Sequence, residues 1–243
     1  MSSNQKCLLI AGAGTGIGRA CAVALAQAGM RVVVAGRRLQ MLEETAALAG
    51  KSAGVLCHAA DLAVREQATE LVEWTLQKLG RIDVMINAAG VNIPQRTMEE
   101  LSPENWDSLM QINVTGAYNL MRAVLPGMRE RRDGQIINIS SIAGLRASPL
   151  GGVAYSASKF AMSALGTCVA LEEKDRGIRV TNVYPGEVDT PILEQRPTPV
   201  SAAHRATILL PEDVAAMITA IVALPARAHV SDIIIKPVTQ AFA

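Results

Sequence analysis

Residues 7–18 read Cys-Leu-Leu-Ile-Ala-Gly-Ala-Gly-Thr-Gly-Ile-Gly, an apolar run that leads directly into a glycine-rich turn. A helical pattern of apolar residues follows and closes at Gly29, and residues 31–35 form a second apolar run with three valines at its centre. A strand, a glycine-rich turn, a helix and a second strand are the opening of a parallel βαβ unit. The start of the chain therefore predicts an α/β fold.

The glycines of this turn suit a loop whose backbone N–H groups approach a pyrophosphate at a helix N-terminus. The strict G-x-G-x-x-G spacing does not fit, because position 17 is Ile. What fits is Gly12, Gly16 and Gly18 with an additional Gly14. No Gly-Lys-Ser/Thr sequence follows, which excludes an ATP-type P-loop. From the loop alone, a flavin or S-adenosylmethionine enzyme stays open.

The alternation of helical and strand patterns continues along the chain. Further strands are predicted at residues 54–60, 82–86, 135–140, 178–183 and 230–235. Helices are predicted at residues 39–48, 64–79, 112–131 and 153–175, with others beginning at Pro103 and Pro211. No internal repeat or linker occurs, so the sequence predicts a single doubly wound, Rossmann-type domain over residues 1–243, with a parallel sheet of about seven strands.

Residues 187–210 are irregular and longer than a plain connector. They contain Pro191, Pro197 and Pro199 and are mixed in polarity. Such segments inside compact domains often form lids or binding loops. We expect this segment to be the substrate loop.

Composition excludes several classes of partner. The net charge is +1, no basic block stands out, and the aromatic fraction is only 3%. A nucleic-acid surface or an anionic-membrane surface is therefore not expected. No residue cluster suggests a metal site, so we predict no metal.

The cysteines predict a reducing compartment. Cys7, Cys21, Cys57 and Cys168 are widely spaced, lack a CxxC pair and lie in apolar neighbourhoods, which favours small buried thiols. Residues 1–6 are polar, and the apolar run after them is too short for a signal peptide or a membrane span. We expect a cytoplasmic protein.

Tyr155 and Lys159 lie one helical turn apart, so the phenol and the ammonium project from the same face. A nearby cation stabilises a phenolate and lowers the pKa of a tyrosine from its ordinary value near ~10. This makes Tyr155 a candidate general acid and base. Taken alone, such a pair is more often an ordinary contact on an amphipathic helix.

The polar clusters of the sequence follow the predicted strands. In a parallel sheet, ligands bind beyond the carboxyl ends of the strands, which share one edge. The helix with Tyr155 and Lys159 begins soon after the fifth strand, so the pair joins the same edge. The clusters are residues 12–18, Asp61, residues 87–90, Ser140–Ser141 and Pro185–Gly186.

With these motifs in order and at similar separations, essentially the whole chain resembles the short-chain dehydrogenase/reductase family, in its single-domain, Tyr-x-x-x-Lys branch. The resemblance implies hydride transfer between a nicotinamide cofactor and a small carbonyl or secondary alcohol. The motifs that carry it are residues 11–18, Asp61, Asn87-Ala88-Ala89-Gly90, Asn113, Ser141, Tyr155-x-x-x-Lys159 and Pro185-Gly186.

The resemblance also implies the catalytic roles. Tyr155 would protonate the nascent alkoxide, and Lys159 would lower the pKa of Tyr155 and hold the nicotinamide ribose. Ser141 would hydrogen-bond the substrate oxygen. Asn113 would interrupt its helix and hold a water that links Lys159 to solvent.

The same resemblance implies a cofactor site. Asp61 would contact the adenine, Asn87 and Gly90 would lie near the adenine-side ribose, and Thr190 would touch the carboxamide. The full predicted set is Gly12, Gly14, Thr15, Gly16, Ile17, Gly18, Arg37, Arg38, Asp61, Leu62, Asn87, Ala88, Gly90, Tyr155, Lys159, Pro185, Gly186, Val188 and Thr190.

Three assignments keep alternatives. The separation of Ser141 from Tyr155 is one residue longer than is common in the family, so Ser140 could replace Ser141. Asn113 could instead be a helix N-cap or a surface residue. Asp61 could cap the helix that starts near Leu62.

The second strand indicates which nicotinamide is used. NAD selectivity usually needs a carboxylate after this strand, but the chain has Arg37 and Arg38 there. Arginine suits the 2′-phosphate of NADP through bidentate bonds. We therefore favour NADP, with NAD possible; the alternative is that the arginines only cap the loop.

The substrate itself is not readable from the sequence. Residues 91–97, 144–152 and 187–210 should line its pocket, and they include Arg96, Arg146 and Arg196 among apolar side chains. A substrate with a carboxylate would explain an inward arginine, although surface arginines are the commoner case.

Two further expectations concern class and assembly. A nucleotide-binding regulator that keeps the fold without turnover is the competing function. The resemblance also implies a homo-oligomer, a dimer or a tetramer, formed through the helices at residues 112–131 and 153–175.

Overall fold

The computed structural model describes residues 5–241, and its centre is a seven-stranded sheet whose neighbouring strands are all parallel. The order β3-β2-β1-β4-β5-β6-β7 confirms the predicted doubly wound arrangement. The strands are β1 Cys7–Ala11, β2 Arg31–Gly36, β3 Leu56–Ala59, β4 Val84–Asn87, β5 Gly134–Ile139, β6 Ile178–Pro185 and β7 Asp232–Ile235.

Eight α-helices connect or flank these strands in the described part of the chain. A π-helical segment, Gln111–Thr115, joins the fourth helix to the fifth. The helices are α1 Gly16–Gln27, α2 Leu39–Ala49, α3 Arg65–Leu79, α4 Pro103–Met110, α5 Gly116–Arg131, α6 Val153–Glu173, α7 Ala202–Arg205 and α8 Pro211–Ala223.

The two faces of the sheet are covered by different helices, because successive strand residues point to opposite sides. Leu8 and Ile10 of β1 belong to a core that includes buried residues of α1, α2 and α8. Cys7 and Leu9 belong to a second core that includes buried residues of α3, α5 and α6. Strands covered on both faces are continuous apolar runs, which explains the pattern of β1 and β2.

The carboxyl ends of the strands are aligned in one row. Ala11 is paired with Asn87, Asn87 with Asn138, and Asn138 with Asn182. The strand order reverses between β1 and β4, and a crevice for a ligand forms at such a point.

Several predicted boundaries are wrong by a few residues. The third strand begins at Leu56 instead of residue 54, because Gly54 has a left-handed backbone with φ of 59°. The seventh strand begins at Asp232 rather than residue 230, and β6 extends to Pro185. The predicted helix at residues 112–131 is the continuation of α4 through the π-helical segment into α5.

Residues 187–210 form a loop whose two ends are hydrogen-bonded to each other, rather than an irregular coil. The backbone N–H of Asp189 donates to the carbonyl of Leu209 at 2.8 Å, and that of Leu209 donates to the carbonyl of Glu187 at 3.1 Å. Between these ends lie a 3₁₀ turn, Pro191–Gln195, and the one-turn helix α7. The two ends are therefore fixed to each other beside β6.

The prediction of four buried thiols is wrong for two of them. Cys7 and Cys21 are buried, Cys57 is half-buried, and Cys168 is exposed on α6. Cys168 is exposed because it lies on the side of α6 that faces away from the sheet. Within residues 5–241, none of the helices is long and apolar enough to cross a membrane.

The end of α6 is fastened to α5 by a buried carboxylate. Arg129 contacts Glu173 through Nε and Nη2, and Arg176 contacts the same group. The hydrogen bonds from Arg129 are the main reason why the pKa of Glu173 lies below its ordinary value. This contact fixes the helix that carries Tyr155 and Lys159.

Candidate active site

The glycine turn after β1 is held in a conformation that needs glycine. Gly12 and Gly16 have φ angles of 72° and 53°, in the left-handed region. A Cβ atom at Gly18 would lie 2.3 Å from the carbonyl oxygen of Gly12. Ile17, which stands where the strict fingerprint has a glycine, is partly buried and packs against the core on the α1 side of the sheet.

The N-terminus of α1 has no side-chain cap. Thr15 is the N-cap residue, yet its hydroxyl accepts no hydrogen bond from the helix, and no acidic residue occurs in the first turn. The first N–H groups of a helix lack intrahelical partners and form the positive end of its dipole. This end of α1 can therefore bind an anion.

A cavity of about 720 Å³ opens at the carboxyl edge of the sheet. It extends from the glycine turn to the loop at residues 187–196, and most of the predicted site residues line it. These are Gly12, Gly14, Thr15, Gly16, Ile17, Gly18, Arg37, Arg38, Asp61, Leu62, Ala88, Gly90, Ser141, Tyr155, Lys159, Pro185, Gly186, Val188 and Thr190.

Two predicted residues do not line the cavity. Asn87 is almost fully buried; its Oδ1 accepts the N–H of Ala89 at 3.3 Å, and its Nδ2 is a buried donor without a partner among the described residues. Asn113 is completely buried behind Gly90 and Val91. Any contact of Asn87 with a cofactor thus remains a prediction.

Lys159 is a buried cation beneath the cavity floor. Its Nζ donates to the carbonyl of Ile139 at 2.9 Å and lies 5.7 Å from the centre of the Tyr155 ring. A Cβ atom at Gly90 would be only 3.2 Å from Nζ, so the glycine leaves space for the ammonium. Burial disfavours the charged form and lowers the pKa of Lys159 to about 8.

Tyr155 faces the cavity and is partly exposed there. Burial of the phenol raises its pKa above the ordinary value, while a hydrogen bond with Ser141 and the positive charge of Arg96 act in the opposite direction. Arg96, which is not part of the Tyr155-x-x-x-Lys159 motif, is therefore a neighbour of the phenol. The effect of Lys159 on the pKa of Tyr155 stays a prediction.

The two serines after β5 have different surroundings. The Ser140 hydroxyl donates to the carbonyl of Lys159 at 3.2 Å and lies 3.0 Å from the Ser163 hydroxyl. The Ser141 hydroxyl accepts the N–H of Ala143 at 3.1 Å and is within hydrogen-bond reach of Tyr155. This geometry favours Ser141 as the residue that can meet a substrate oxygen.

Asn113 lies in the π-helical segment, so the predicted interruption of the helix is present. Its Oδ1 accepts the N–H of Val91 at 2.8 Å, and its Nδ2 donates to the carbonyl of Val91 and to the Ser158 hydroxyl, both at 3.0 Å. The alternative roles as a surface residue or an N-cap are therefore wrong. A π-bulge of this kind often marks a functional position.

The opposite end of the cavity carries two exposed arginines. Arg37 and Arg38 follow β2, and neither makes a side-chain hydrogen bond or an ion pair with another described residue. Asp61 accepts the N–H of Ala63 at 3.0 Å, whereas α3 begins at Arg65 with Val64 as N-cap. The alternative that Asp61 caps this helix is therefore wrong.

Sequence reasoning missed two residues of the site. Ser158 donates to the carbonyl of Tyr155 at 2.8 Å and accepts from Asn113, and its polar hydroxyl at a buried helical position was the available signal. Gln240 lines the cavity, and its Oε1 accepts the N–H of Glu187 at 3.0 Å. No local sequence pattern pointed to Gln240, because this residue reaches the site only through the fold of the C-terminal tail.

Between residues 5 and 241, no cluster of three or more His, Cys, Asp or Glu side chains could hold a metal ion.

Comparisons with known proteins agree with one another. The family described as short chain dehydrogenase matches residues 6–200. An uncharacterised oxidoreductase from Listeria innocua is 31% identical over 248 residues, with 99% of each chain covered. The closed form of a serine dehydrogenase complexed with NADP+ superposes with a TM-score of 0.89 at 28% identity, over 97% of this chain and 96% of that chain. A 3-ketoacyl-(acyl-carrier-protein) reductase from Brucella melitensis, complexed with NADH, gives 0.86 at 27% identity over 95% and 96%.

Replacing Lys159 with Met is expected to stabilise the folded chain. Below pH 8 the lysine is protonated in the folded and the unfolded chain, so folding must bury its charge. A shift from 10.5 to about 8 corresponds to about 3 kcal/mol, from which the lost hydrogen bond to Ile139 subtracts about 1 kcal/mol. We expect the melting temperature at pH 7 to rise by about 4–8 °C in scanning calorimetry.

This advantage should shrink as the pH rises from 8 to 10.5, because the folded wild-type chain then holds a neutral lysine and its penalty disappears. Lys51 is exposed in a turn, and Lys51→Met is the matched control, for which we expect no change in melting temperature. A Lys159→Met variant that melts below the wild type at pH 7 would contradict the prediction.

Proposed function

The chain is an oxidoreductase of the short-chain dehydrogenase/reductase family, and we propose that it transfers a hydride between a nicotinamide dinucleotide, preferably NADP, and a small carbonyl or secondary alcohol. The observation that carries the proposal is the convergence of Tyr155, Lys159 and Ser141 on one cavity that also contains the uncapped end of α1. A serine dehydrogenase and a 3-ketoacyl reductase of similar structure are complexed with NADP+ and NADH.

The residues of the cavity fit such a cofactor. The free N–H groups at the start of α1 suit the pyrophosphate, and the tight glycine turn lets it approach the backbone. Asp61, Leu62, Ala88 and Gly90 would hold the adenosine half, with Asn87 behind them. Pro185, Gly186, Val188 and Thr190 would hold the nicotinamide half.

When bound, a reduced nicotinamide would supply two electrons as a hydride to the carbonyl carbon. Tyr155 delivers the proton to the carbonyl oxygen, which becomes the hydroxyl of the alcohol. An ordinary phenol is protonated at neutral pH, which is the form that reduction needs. Ser141 donates a hydrogen bond to the same oxygen, on which negative charge develops.

Lys159 and Asn113 support this proton transfer. The Lys159 ammonium lies one turn below Tyr155 and would hold the ribose hydroxyls and stabilise the phenolate after the proton has left. Asn113 fixes the backbone at Val91 beside Gly90, and we propose that a water near this amide returns a proton to Lys159 from solvent.

Tyr155→Phe should lower kcat for carbonyl reduction by about 10²–10⁴-fold, because the variant lacks the positioned proton donor. The decrease in NADPH absorbance over a panel of small ketones and ketoesters measures this. The rise in melting temperature on adding NADPH should persist, since the phenol is not needed to hold the pyrophosphate.

Tyr118 is half-exposed on α5, and Tyr118→Phe is the control that should keep full activity. Undiminished activity in Tyr155→Phe would reject the assigned role. A wild-type chain that binds NADPH and reduces nothing in the panel would instead support the competing function, a regulator without turnover.

The preference for NADP rests on the end of β2. Arg37 and Arg38 stand where a carboxylate would otherwise bind the 2′-hydroxyl, and both guanidiniums are exposed at the cavity and unpaired among the described residues. A phosphate monoester is a good partner for such groups. Arg38 is the backbone N-cap of α2 but makes no side-chain cap, which weakens the alternative of a capping role.

Arg37→Gln should raise the KM for NADPH by about 10- to 100-fold, the effect of losing one charge-assisted bond of about 1.5–3 kcal/mol. The KM for NADH should change by less than about 2-fold, because NADH lacks the 2′-phosphate. Steady-state kinetics with each coenzyme measure both values. Arg227→Gln changes the same charge at an exposed position that does not line the cavity, and it should alter neither KM.

An equal loss with both coenzymes in Arg37→Gln, or a wild-type chain that prefers NADH, would overturn the preference for NADP. Use of NAD as a second coenzyme is compatible with the proposal.

We also propose a homo-oligomer, a dimer or a tetramer, with α5 and α6 at its interface. The outer side of α6 exposes a stripe at helical spacing: Phe160, Ala164, Thr167, Cys168 and Leu171. Phe160 and Leu171 are 42% and 65% exposed, which is unfavourable for a face in contact with water.

Sedimentation velocity should give a dimer or a tetramer for the wild-type chain, and Leu171→Glu should shift it towards the monomer by placing a charge in the contact. Leu48 is 58% exposed on α2, and Leu48→Glu is the matched control that should leave the assembly intact. A wild-type chain that sediments only as a monomer would reject the proposed assembly.

A further inference from the structure

Arg96 is a buried cation at the substrate end of the cavity. It lies in the loop between β4 and α4, is 9% exposed, and lines the cavity together with Tyr155 and Ser141. Its charge acts on the phenol of Tyr155, so the guanidinium and the acid/base group are close together. The catalytic roles proposed above leave Arg96 unused.

The hydrogen bonds of Arg96 hold it in place and leave part of it free. Nε donates to the carbonyl of Ile93 at 3.1 Å, Nη2 donates to that of Gln195 at 3.0 Å, and Nη1 donates to that of Leu150. A guanidinium has five N–H donors, so two remain. The three carbonyls belong to three different loops, which fixes the direction of the cation.

The charge of Arg96 is not balanced by a protein carboxylate. The neighbouring Arg196 contacts Glu187 at 2.7 Å, whereas Arg96 has no ion pair with any described residue. The other acidic residues that line the cavity, Asp61 and Glu194, do not contact it either. The pKa of Arg96 lies below its ordinary value, mainly because the guanidinium is buried and secondly because the positive charge of Arg196 is nearby.

A buried charge is unfavourable unless an opposite charge accompanies it. Carbonyl oxygens satisfy N–H groups but do not neutralise a cation. A carboxylate in the cavity would do so, and the planar guanidinium matches its two oxygens. We propose that Arg96 binds the carboxylate of a small oxo acid or hydroxy acid whose reacting oxygen lies between Tyr155 and Ser141. This inference rests on the proposed oxidoreductase function.

The competing interpretation is that Arg96 only clamps the three loops. Such a clamp would affect acidic and neutral substrates equally. A matched pair of probes separates the two interpretations: 3-oxobutanoate and its methyl ester, which differ in the charged group and share the ketone.

The wild-type chain should reduce the acid with a kcat/KM at least about 10-fold above that of the ester. In Arg96→Met, the kcat/KM for the acid should fall by about 10- to 100-fold, mainly through KM, and that for the ester by less than about 3-fold. Arg227→Met, which removes an exposed charge away from the cavity, should change neither value.

The variant Arg96→Lys shows whether the loss of activity towards the acid comes from a less stable fold or from the missing positive charge. It keeps the cation but cannot reach all three carbonyls, so the melting temperature should fall as in Arg96→Met while the preference for the acid partly survives. Equal losses for acid and ester in both variants, or no preference in the wild-type chain, would overturn the inference.

A binding measurement separates this inference from the proposed function. With NADPH present, unreactive butanoate should raise the melting temperature of the wild-type chain more than butanamide does, and this difference should vanish in Arg96→Met. Reduction of the ester without any effect of the carboxylate would refute the role of Arg96 and leave the proposed function standing. Binding of butanoate through Arg96 without turnover of either probe would support the role of Arg96 and count against the proposed function.

Discussion

Because the seven strands run in the same direction, their carboxyl ends meet at one edge, and every part of the site depends on that constraint. The glycine turn after β1, the segment after β4, the serines after β5 and the Pro185–Gly186 turn after β6 are far apart in the chain. The sheet brings them to the wall of one cavity. The helix α6 adds Tyr155 and Lys159 to the same cavity.

Two buried cations define the reactive end of this cavity, and they are held by the same kind of contact. Lys159 donates to the carbonyl of Ile139, and Arg96 donates to the carbonyls of Ile93, Leu150 and Gln195. Backbone carbonyls can orient a cation without neutralising it. The folded chain therefore keeps positive charge where a phenolate, a developing alkoxide or a carboxylate would be stabilised, and burying the charge of Lys159 lowers its own stability.

The two ends of the cavity are lined by different kinds of groups, backbone at one end and side chains at the other. At the end proposed for the dinucleotide, the contacts come mainly from backbone groups: the left-handed glycines and the free N–H groups of α1. At the opposite end, side chains from loops form the wall, including Arg96 and residues of the loop between Glu187 and Leu209. Loops vary without disturbing the sheet, so recognition of the substrate can differ while the chemistry stays the same.

The sequence by itself determined the order of the strands and of the long helices, because strands buried on both faces are continuous apolar runs and glycine turns need residues without a Cβ atom. It also identified the pair Tyr155 and Lys159, since their spacing of one helical turn is local. The tertiary structure alone gave Ser140 and Ser141 different hydrogen-bond partners, placed Asn113 inside a π-helical segment, and brought Arg96 to Tyr155. These outcomes depend on contacts between residues distant in the chain, which no local pattern encodes.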